Sequence, residues 1–536
     1  RLTDELYGDH IHKDFRLWLT SNSTPLFPLA VLQQSVKVTN QAPEGLRPNM
    51  IRSYTQDPVS DPNFYQAPGK PGVGMMAEWQ KMLFSLAFFH AAVQERRNFA
   101  SLGWNVPYEF SDSDFRISVR QLHMMLLDYR EVPFKALSYL TSECNYGGRV
   151  TDHHDRRALV TLLEDFYNPD VLRDHHLYCE LENGVTIRQR SEERAVYETY
   201  LSYLHEIPSE TDPEVVGLHS NAEISRGKNQ TQMLLADILS TEGTASSKQV
   251  GNQSVDKFVN TVCTDVLARL PDLFDLKSIK RKYRIQYEDS MNIVLVQELI
   301  RYNSLLEVVR DSLQSVQKAI QGLIVMGADV EDVYTSLYAG HIPELWLNHS
   351  YPSEKNLGSY VKDLLSRLQF FQKWVDEGPP PVFWLSGFFF TQSFLTGVRQ
   401  NFARKYRAPI DEVVYTFEVM DFNLPDSPPE EGCYVHGLYL EGARWDLAGG
   451  TLEESLPRVL HSKMPVIWLK PVRTSEEVDD ELLYECPVYK TPLRRGELST
   501  TGHSTNFVMD IKLWCPPEKS PSHWIKRGVA LLCQVD

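Results

Sequence analysis

The spacing of apolar residues changes near residue 409, and this change constrains the fold more than any other feature. Before it, apolar side chains recur every three to four residues, which predicts amphipathic helices. After it, they alternate with a period of two in six short segments, at 413–420, 433–440, 465–470, 485–489, 506–514 and 529–533. Short strands separated by turns favour a sandwich or a small closed barrel, because open edges invite aggregation. We expect a six-stranded β-barrel after the helices.

The strongest helical signal follows residue 290. Its apolar residues alternate in steps of four and three: Leu305, Val309, Leu313, Val316, Ile320 and Leu323. This spacing predicts a long helix with one buried face. A second stripe covers 357–371, and the three prolines at 379–381 must end it. Stripes between 45 and 168, including one over 82–93, predict a small helical bundle, whereas the Ser-, Thr-, Gln- and Gly-rich stretch 229–254 is expected to be a mobile loop.

Two short β-favouring runs lie near the start of the sequence, at 15–20 and 35–39. A turn-forming cluster at 21–28 separates them. One strand pair cannot bury both of its faces. These segments are therefore predicted to be the tail of an α/β domain whose other strands are absent from this sequence.

The formal charge of −17 over 536 residues disfavours nucleic acid or an anionic membrane surface as a general partner. One basic cluster departs from this trend: Lys277, Lys280, Arg281, Lys282 and Arg284. It could bind a partner, although a solvated face at a helix junction is the expected interpretation. No apolar run reaches the length of about 18 residues that a membrane span needs, so no membrane helix is predicted.

The seven cysteines lie at 144, 179, 263, 433, 486, 515 and 533, without any CxxC spacing. An odd, scattered set fits a reducing compartment. Most of these side chains are expected to be small buried apolar residues.

No motif for catalysis, cofactor binding or metal binding is convincing. The nearest approach to a phosphate loop, 69–74, has no preceding strand, no Ser or Thr after Lys70, and Pro71 in place of an amide donor. Close histidine pairs occur without metal-site spacing, at His10 and His12, His153 and His154, and His175 and His176. The acidic run 476–481 is expected to be a solvated loop. We therefore predict no catalytic, cofactor-binding or metal-ligating residue, and from the residues alone the protein is interpreted as a scaffold or interaction module.

Several longer segments resemble dynein heavy chains. HKDFRLWLT (12–20) resembles a late strand of their sixth AAA+ module, and EGLRPNMIRSY (44–54) resembles the entry into its helical subdomain. The segments at 89–119 and 143–157 are similar to signatures of the same subdomain. FFFTQSFLTGVRQNFARKYRAPID (388–411), GCYVHGLYLEGARWD (432–446), MPVIWLKP (464–471) and LSTTGHSTNFVMDIKL (498–513) resemble the C-terminal domain of axonemal dyneins.

The resemblance implies an α+β multi-domain arrangement. Residues 1–43 would end the large subdomain of the sixth AAA+ module, and 44–170 would form its helical lid. A connector at 171–220 would lead to the helical part of the C-terminal domain at 221–408 and to the β-barrel at 409–536. Arg116 falls where AAA+ lids often carry a sensor arginine, but a structural ion pair is the expected interpretation.

The family also implies a function. Dyneins are minus-end-directed, ATP-driven microtubule motors of the cytoskeleton, here of the ciliary or flagellar axoneme. ATP and magnesium would bind to the whole motor and not to this portion, which is predicted to be inactive alone. Its partners would be the other AAA+ modules of the same polypeptide and, through the whole motor, intermediate chains, light chains and microtubules. This portion would brace the AAA+ ring.

An alternative remains open from the sequence. A stand-alone, non-enzymatic scaffold could keep a dynein-like C-terminal domain without the ring. The sequence begins Arg1-Leu2-Thr3 without a methionine, so it could be a fragment or a processed product.

Overall fold

The computed structural model describes residues 12, 14–21, 31, 33, 35–38, 43–66, 76–180, 186–189, 197–209, 211–246, 253–284, 286–287, 289–476, 480–496 and 505–535. The protein divides into two compact units, residues 1–44 and 45–536.

The described residues of the first unit form no strand. Residues 15–20 and 35–38 have no regular structure, so the two predicted strands are wrong over these positions, and Thr39 lies outside the described residues. A strand is held by hydrogen bonds to neighbouring strands, and no described residue of this unit supplies them.

Helices dominate the second unit up to residue 222. The first group is α1 (Leu46–Thr55), α2 (Pro62–Gln66), α3 (Met76–Glu95), α4 (Ala100–Gly103), α5 (Asp112–Asp128), α6 (Phe134–Tyr139), α7 (His153–Glu164) and α8 (Tyr197–Glu206). A short hairpin of β1 (Leu177–Glu180) and β2 (Thr186–Arg188) lies between α7 and α8. These elements share one apolar core, which also includes side chains of 207–222.

Helix α3 is the centre of this bundle. The sequence predicts a stripe on one face, but every residue from 82 to 93 is buried. The buried His90 has a polar partner, since the Tyr146 hydroxyl lies 2.9 Å from His90 Nδ1, and burial lowers the pKa of His90 to about 4. The helix is therefore enclosed on all sides.

A second apolar core contains the later helices and sheets. Helix α9 (Ala222–Ser246) precedes them in the sequence, and its buried Ala222 belongs to the core of the bundle. The helices of the second core are α10 (Gln253–Arg269), α11 (Leu276–Lys282), α12 (Met291–Ile320), α13 (Ala328–Ala339), α14 (Glu344–Leu347), α15 (Leu357–Glu377), α16 (Thr391–Tyr406) and α17 (Pro521–Lys526). The long helix predicted after residue 290 is α12, with 30 residues. The mobile loop expected at 229–254 is wrong, because 229–246 belong to α9 and α10 begins at Gln253, while 247–252 lie outside the described residues.

The strands that follow form open sheets. They are β3 (Val382–Trp384), β4 (Val413–Val419), β5 (Cys433–His436), β6 (Tyr439–Glu441), β7 (Arg444–Asp446), β8 (Thr451–Glu453), β9 (His461–Lys463), β10 (Ile467–Arg473), β11 (Leu483–Tyr489), β12 (Phe507–Trp514) and β13 (Ala530–Leu532). One sheet has the order β3-β5-β10-β4, a second has the order β12-β11-β13-β6-β9, and β7 pairs with β8.

The predicted six-stranded barrel is not confirmed, because no sheet closes among the described residues. The predicted segment 433–440 is divided between β5 and β6, which belong to different sheets. Gly437 lies between them with a φ of +89°, a conformation that favours glycine and redirects the backbone from one sheet to the other. The short strands β3, β7, β8 and β9 were not predicted from the sequence.

Five of the seven cysteines are buried, as expected, and Cys144 is exposed while Cys179 is half-buried. Burial raises the pKa of the Cys433 and Cys486 thiols. Across the described part of the protein, the helices all fall short of the length and apolarity that crossing a bilayer requires.

Two leucine-to-alanine substitutions test the position of α12. Leu313 is fully buried on α12, so Leu313→Ala should lower the free energy of unfolding by about 3–5 kcal/mol through lost burial and a cavity. Leu323, just beyond the helix, is 69% exposed, and Leu323→Ala should change it by less than about 0.5 kcal/mol. Urea denaturation of both variants measures the difference. Equal losses of unfolding free energy in the two variants would contradict the burial of α12.

Candidate functional site: a polar interface between the helical bundle and the C-terminal sheets

The positions singled out in the sequence do not converge on a reaction centre. Residues 69–74 and His10 lie outside the described residues, and His12 belongs to the first unit. Arg116 is exposed on α5 and has no salt-bridge partner in the described part of the protein, so the expected ion pair is not found there. Among the described residues, no group of three or more His, Cys, Asp or Glu side chains could hold a metal ion.

The histidine pairs also separate. His153 and His154 begin α7, whereas His175 and His176 precede β1. One of these residues contacts the C-terminal sheets directly: His154 Nε2 lies 2.9 Å from Asp510 Oδ1 on β12. This contact belongs to a larger polar interface between the helical bundle and the second core.

Arg96 is the most deeply buried charge at this interface, at 1% exposure. Its Nε donates to the carbonyl oxygen of Gly103 at 3.1 Å. Its Nη1 donates to the carbonyls of Val216 at 2.7 Å and Lys526 at 2.9 Å, and the guanidinium stacks 5.2 Å from the Trp104 ring. Burial lowers the pKa of Arg96 to about 10, so the guanidinium stays charged at neutral pH. One cation thus joins three segments that are distant in sequence.

A second network surrounds Asn105. Its Nδ2 donates to Asp152 Oδ1 at 3.2 Å and to the Tyr489 hydroxyl at 2.8 Å. The same hydroxyl lies 3.3 Å from His154 Nδ1. Tyr489 belongs to β11, so the network crosses from the bundle into the five-stranded sheet.

Asp155 supports the bundle side of this network. Its two carboxylate oxygens accept the backbone N–H groups of Asn105 at 2.9 Å and Val106 at 3.1 Å. Burial, with the nearby charge of Asp152, raises the pKa of Asp155 to about 7. A cavity of about 30 Å³ adjoins these side chains, room for one water molecule but not for a substrate. The network therefore connects the bundle to the five-stranded sheet through buried polar side chains.

Asn221 closes a third contact. Its Nδ2 donates to the carbonyls of Leu456 at 2.8 Å and Val459 at 2.9 Å. Its Oδ1 accepts the Arg458 N–H at 2.8 Å. The buried amide thus holds the loop that precedes β9 against the start of α9.

The Glu454 carboxylate forms ion pairs with several side chains beside this loop. Its Oε1 lies 2.7 Å from Lys519 Nζ and 2.7 Å from His523 Nε2, and its Oε2 lies 3.2 Å from Arg527 Nη1. His219, from the end of the bundle, approaches to 3.8 Å. Burial alone would raise the pKa of Glu454, but the hydrogen bonds from His523 and Lys519 and the charge of Arg527 lower it to about 2.

The backbones also meet closely at this interface. Gly528 has a φ of +64°, and a Cβ there would lie 2.3 Å from the carbonyl oxygen of Leu102. Only glycine permits both the conformation and the approach. The turn after α17 therefore lies directly against α4.

Family comparison agrees with a bundle joined to a C-terminal domain. A model of the C-terminal domain of dynein heavy chains matches residues 228–533, and a model of the AAA lid domain of dynein heavy chains matches 79–222. A model of the dynein heavy chain region D6 P-loop domain matches 1–39. The protein belongs to the dynein heavy chain family.

The relatives are axonemal heavy chains, and the resemblance found in the sequence is confirmed. The sequence is 49% identical to mouse dynein axonemal heavy chain 3 over 98% of its length and 13% of that protein. It is 48% identical to mouse dynein axonemal heavy chain 12 over 100% of its length and 17% of that protein. It is 45% identical to human dynein axonemal heavy chain 1 over 100% of its length and 12% of that protein. The sequence thus spans less than a fifth of the length of these relatives.

Replacing Arg96 should weaken this interface. Arg96→Met removes the donor from three buried carbonyls and should lower the free energy of unfolding by about 3–5 kcal/mol. Arg97, the next residue, is exposed, so Arg97→Met should change it by less than about 0.5 kcal/mol. Thermal and urea unfolding compare the two. An Arg96→Met protein as stable as Arg97→Met would show that the buried guanidinium contributes no net stability.

The Glu454 cluster predicts a dependence on acid. Because the folded-state pKa of about 2 lies below the usual 4.5, this carboxylate stabilises the fold above pH 4.5, and its contribution is lost as the pH falls towards 2. Between pH 5 and 2, the wild type should lose about 2 kcal/mol more unfolding free energy than Glu454→Gln. Glu453→Gln, which alters a carboxylate paired with Arg444 near the surface, is the control and should follow the wild type. If urea denaturation shows the same dependence of unfolding free energy on pH for all three proteins, the Glu454 cluster does not stabilise the fold as predicted.

Proposed function

We propose that this protein is the C-terminal part of a ciliary or flagellar dynein heavy chain, and that it braces the AAA+ ring of a minus-end-directed, ATP-driven microtubule motor. Residues 1–43 would end the large subdomain of the sixth module, 44–170 would form its lid, and 171–220 would connect it to the C-terminal domain. That domain would comprise 221–408 and 409–536. No residue of the sequence is assigned to catalysis, cofactor binding or metal binding.

The observation that carries this proposal is the buried guanidinium of Arg96. It is bound by carbonyls from the bundle and from α17, so separating the two would expose a cation and leave its acceptors without a donor. The Asn105, Asn221 and Glu454 contacts add independent attachments along the same interface. A lid fastened in this way to a large second core would move with it as one body.

Such a body could transmit motion around a ring. Interfaces with a small number of discrete arrangements convert local closure into a rigid-body displacement, whereas a soft domain absorbs it. In the whole motor, ATP and magnesium would bind to other AAA+ modules, which would be the direct partners of this portion. Intermediate chains, light chains and microtubules would be engaged through the whole motor in the axoneme.

A matched pair of variants tests the bracing role. In the whole motor, Arg96→Met should lower the velocity of microtubule gliding and leave ATP binding at the first module unchanged, because the first module would lie in another part of the polypeptide. Arg97→Met should glide like the wild type. Removal of residues 409–536 should have a larger effect than Arg96→Met. Wild-type gliding by both the Arg96→Met and the truncated motors would exclude bracing.

The alternative is a stand-alone, non-enzymatic scaffold or adaptor with a dynein-like C-terminal domain. An antibody against residues 498–536 distinguishes the two on isolated cilia. A polypeptide many times larger than 61.7 kDa, extracted with the dynein arms, would support the motor. A polypeptide near 61.7 kDa outside the axoneme would support the scaffold.

A further inference from the structure

A stripe of cations lies on one side of α11 and the residues that follow it. It consists of Lys277, Lys280, Arg281 and Arg284, all exposed, and is called the basic patch below. Ile279 lies on the opposite side and is buried in the second core. The steps of three and four between Lys277, Lys280 and Arg281 place their side chains on one face of α11, and Arg284 follows two residues after its end.

Hydrogen bonds hold the backbone of the basic patch in place at both ends of α11. The carboxylate of Asp275 caps the start of α11 by accepting the N–H groups of Lys277 at 3.0 Å and Ser278 at 3.3 Å. At the other end, the Tyr283 hydroxyl donates to the carbonyl of Trp374 at 2.7 Å. A partner would therefore meet charges on an ordered backbone, which reduces the entropy lost on binding.

The four cations have no acidic partner among the described side chains. By contrast, the buried Arg494 is paired with Glu441. Near the ends of the patch, Asp275 caps α11 and Asp376 accepts Gln372 Nε2 at 3.0 Å. The patch is therefore a local concentration of cations on a protein whose formal charge is −17.

A cation and an aromatic ring extend the patch towards α16. Tyr287 is 74% exposed, and the guanidinium of Arg404 lies 4.5 Å from its ring centroid. Arg404 is held in place by the Ser290 hydroxyl at 2.7 Å. This pair offers a charged donor beside a flat apolar surface, a combination suited to a carboxylate-bearing side chain with a methylene stem.

We propose that the basic patch binds a short acidic segment, rich in Glu or Asp, of another protein. The charge of the rest of the protein favours a short segment over a long polyanion, because only contacts within about 8–10 Å of the patch escape repulsion by the acidic surface. Binding at this surface goes beyond the bracing role and does not depend on it.

A fluorescent glutamate-rich peptide tests this assignment on the native full-length polypeptide that carries this sequence. Anisotropy should show binding that weakens with salt, and the glutamine analogue of the peptide should not bind. Replacing Lys277, Lys280, Arg281 and Arg284 together by Gln should weaken binding roughly ten-fold or more. The control replaces four exposed cations elsewhere by Gln, namely Arg130, Lys135, Lys318 and Lys362, and should bind like the wild type.

Two further measurements make the result decisive. Arg281→Lys with Arg284→Lys keeps the charge and should retain binding, which separates loss of charge from loss of folding. Equal affinity of the wild type and the patch variant would overturn the proposal. So would an equal loss in the control variant, or tighter patch-dependent binding of RNA or anionic vesicles than of the peptide.

Discussion

The cohesion of the large unit depends on a buried cation that is held by backbone carbonyl oxygens. Arg96 has three carbonyl acceptors and an aromatic neighbour, and within the described part of the protein none of its hydrogen bonds is to a carboxylate. An isolated buried charge is costly, so every acceptor must stay in place for the arrangement to be stable. Because the acceptors come from the bundle, from the segment before α9 and from α17, none of these can shift alone. Arg96 therefore links the helical bundle to α17 through hydrogen bonds that depend on one another.

The general architecture was accessible from the sequence because periodicity reports burial directly. The four-three spacing from Leu305 to Ile320 located α12, and alternation located β4, β10, β11, β12 and β13. The predictions that were wrong have local causes. Residues 229–246 were predicted to be a loop because of their polar composition. Met233, Leu234 and Leu235 lie within helix α9 but are exposed, so these apolar residues form no buried stripe that a sequence pattern could reveal. Gly437 was read as part of one strand, although its backbone turns between two sheets.

The interface could not be predicted, because its residues are adjacent only in three dimensions. Arg96 and Lys526 are 430 residues apart, and Asn105 and Tyr489 are 384 apart. Glu454 directly follows β8, and Lys519 and Arg527, which contact it, lie more than 60 residues later in the sequence. The segment 89–119, which resembles a signature of the family, contains both Arg96 and Asn105. Family similarity thus marked the right region without revealing what its residues contact.

Helix α12 has a further consequence. At about 1.5 Å per residue, its 30 residues span roughly 45 Å, and buried side chains from Val294 to Val316 keep it seated in the core along this length. The turn of Tyr287 lies just before its first residue, and the exposed apolar residues Leu323 and Val325 lie just beyond its last. A helix packed in this way cannot shorten or bend on its own. The helix therefore keeps a fixed length, and any two molecules that attach at its opposite ends would be held a fixed distance apart.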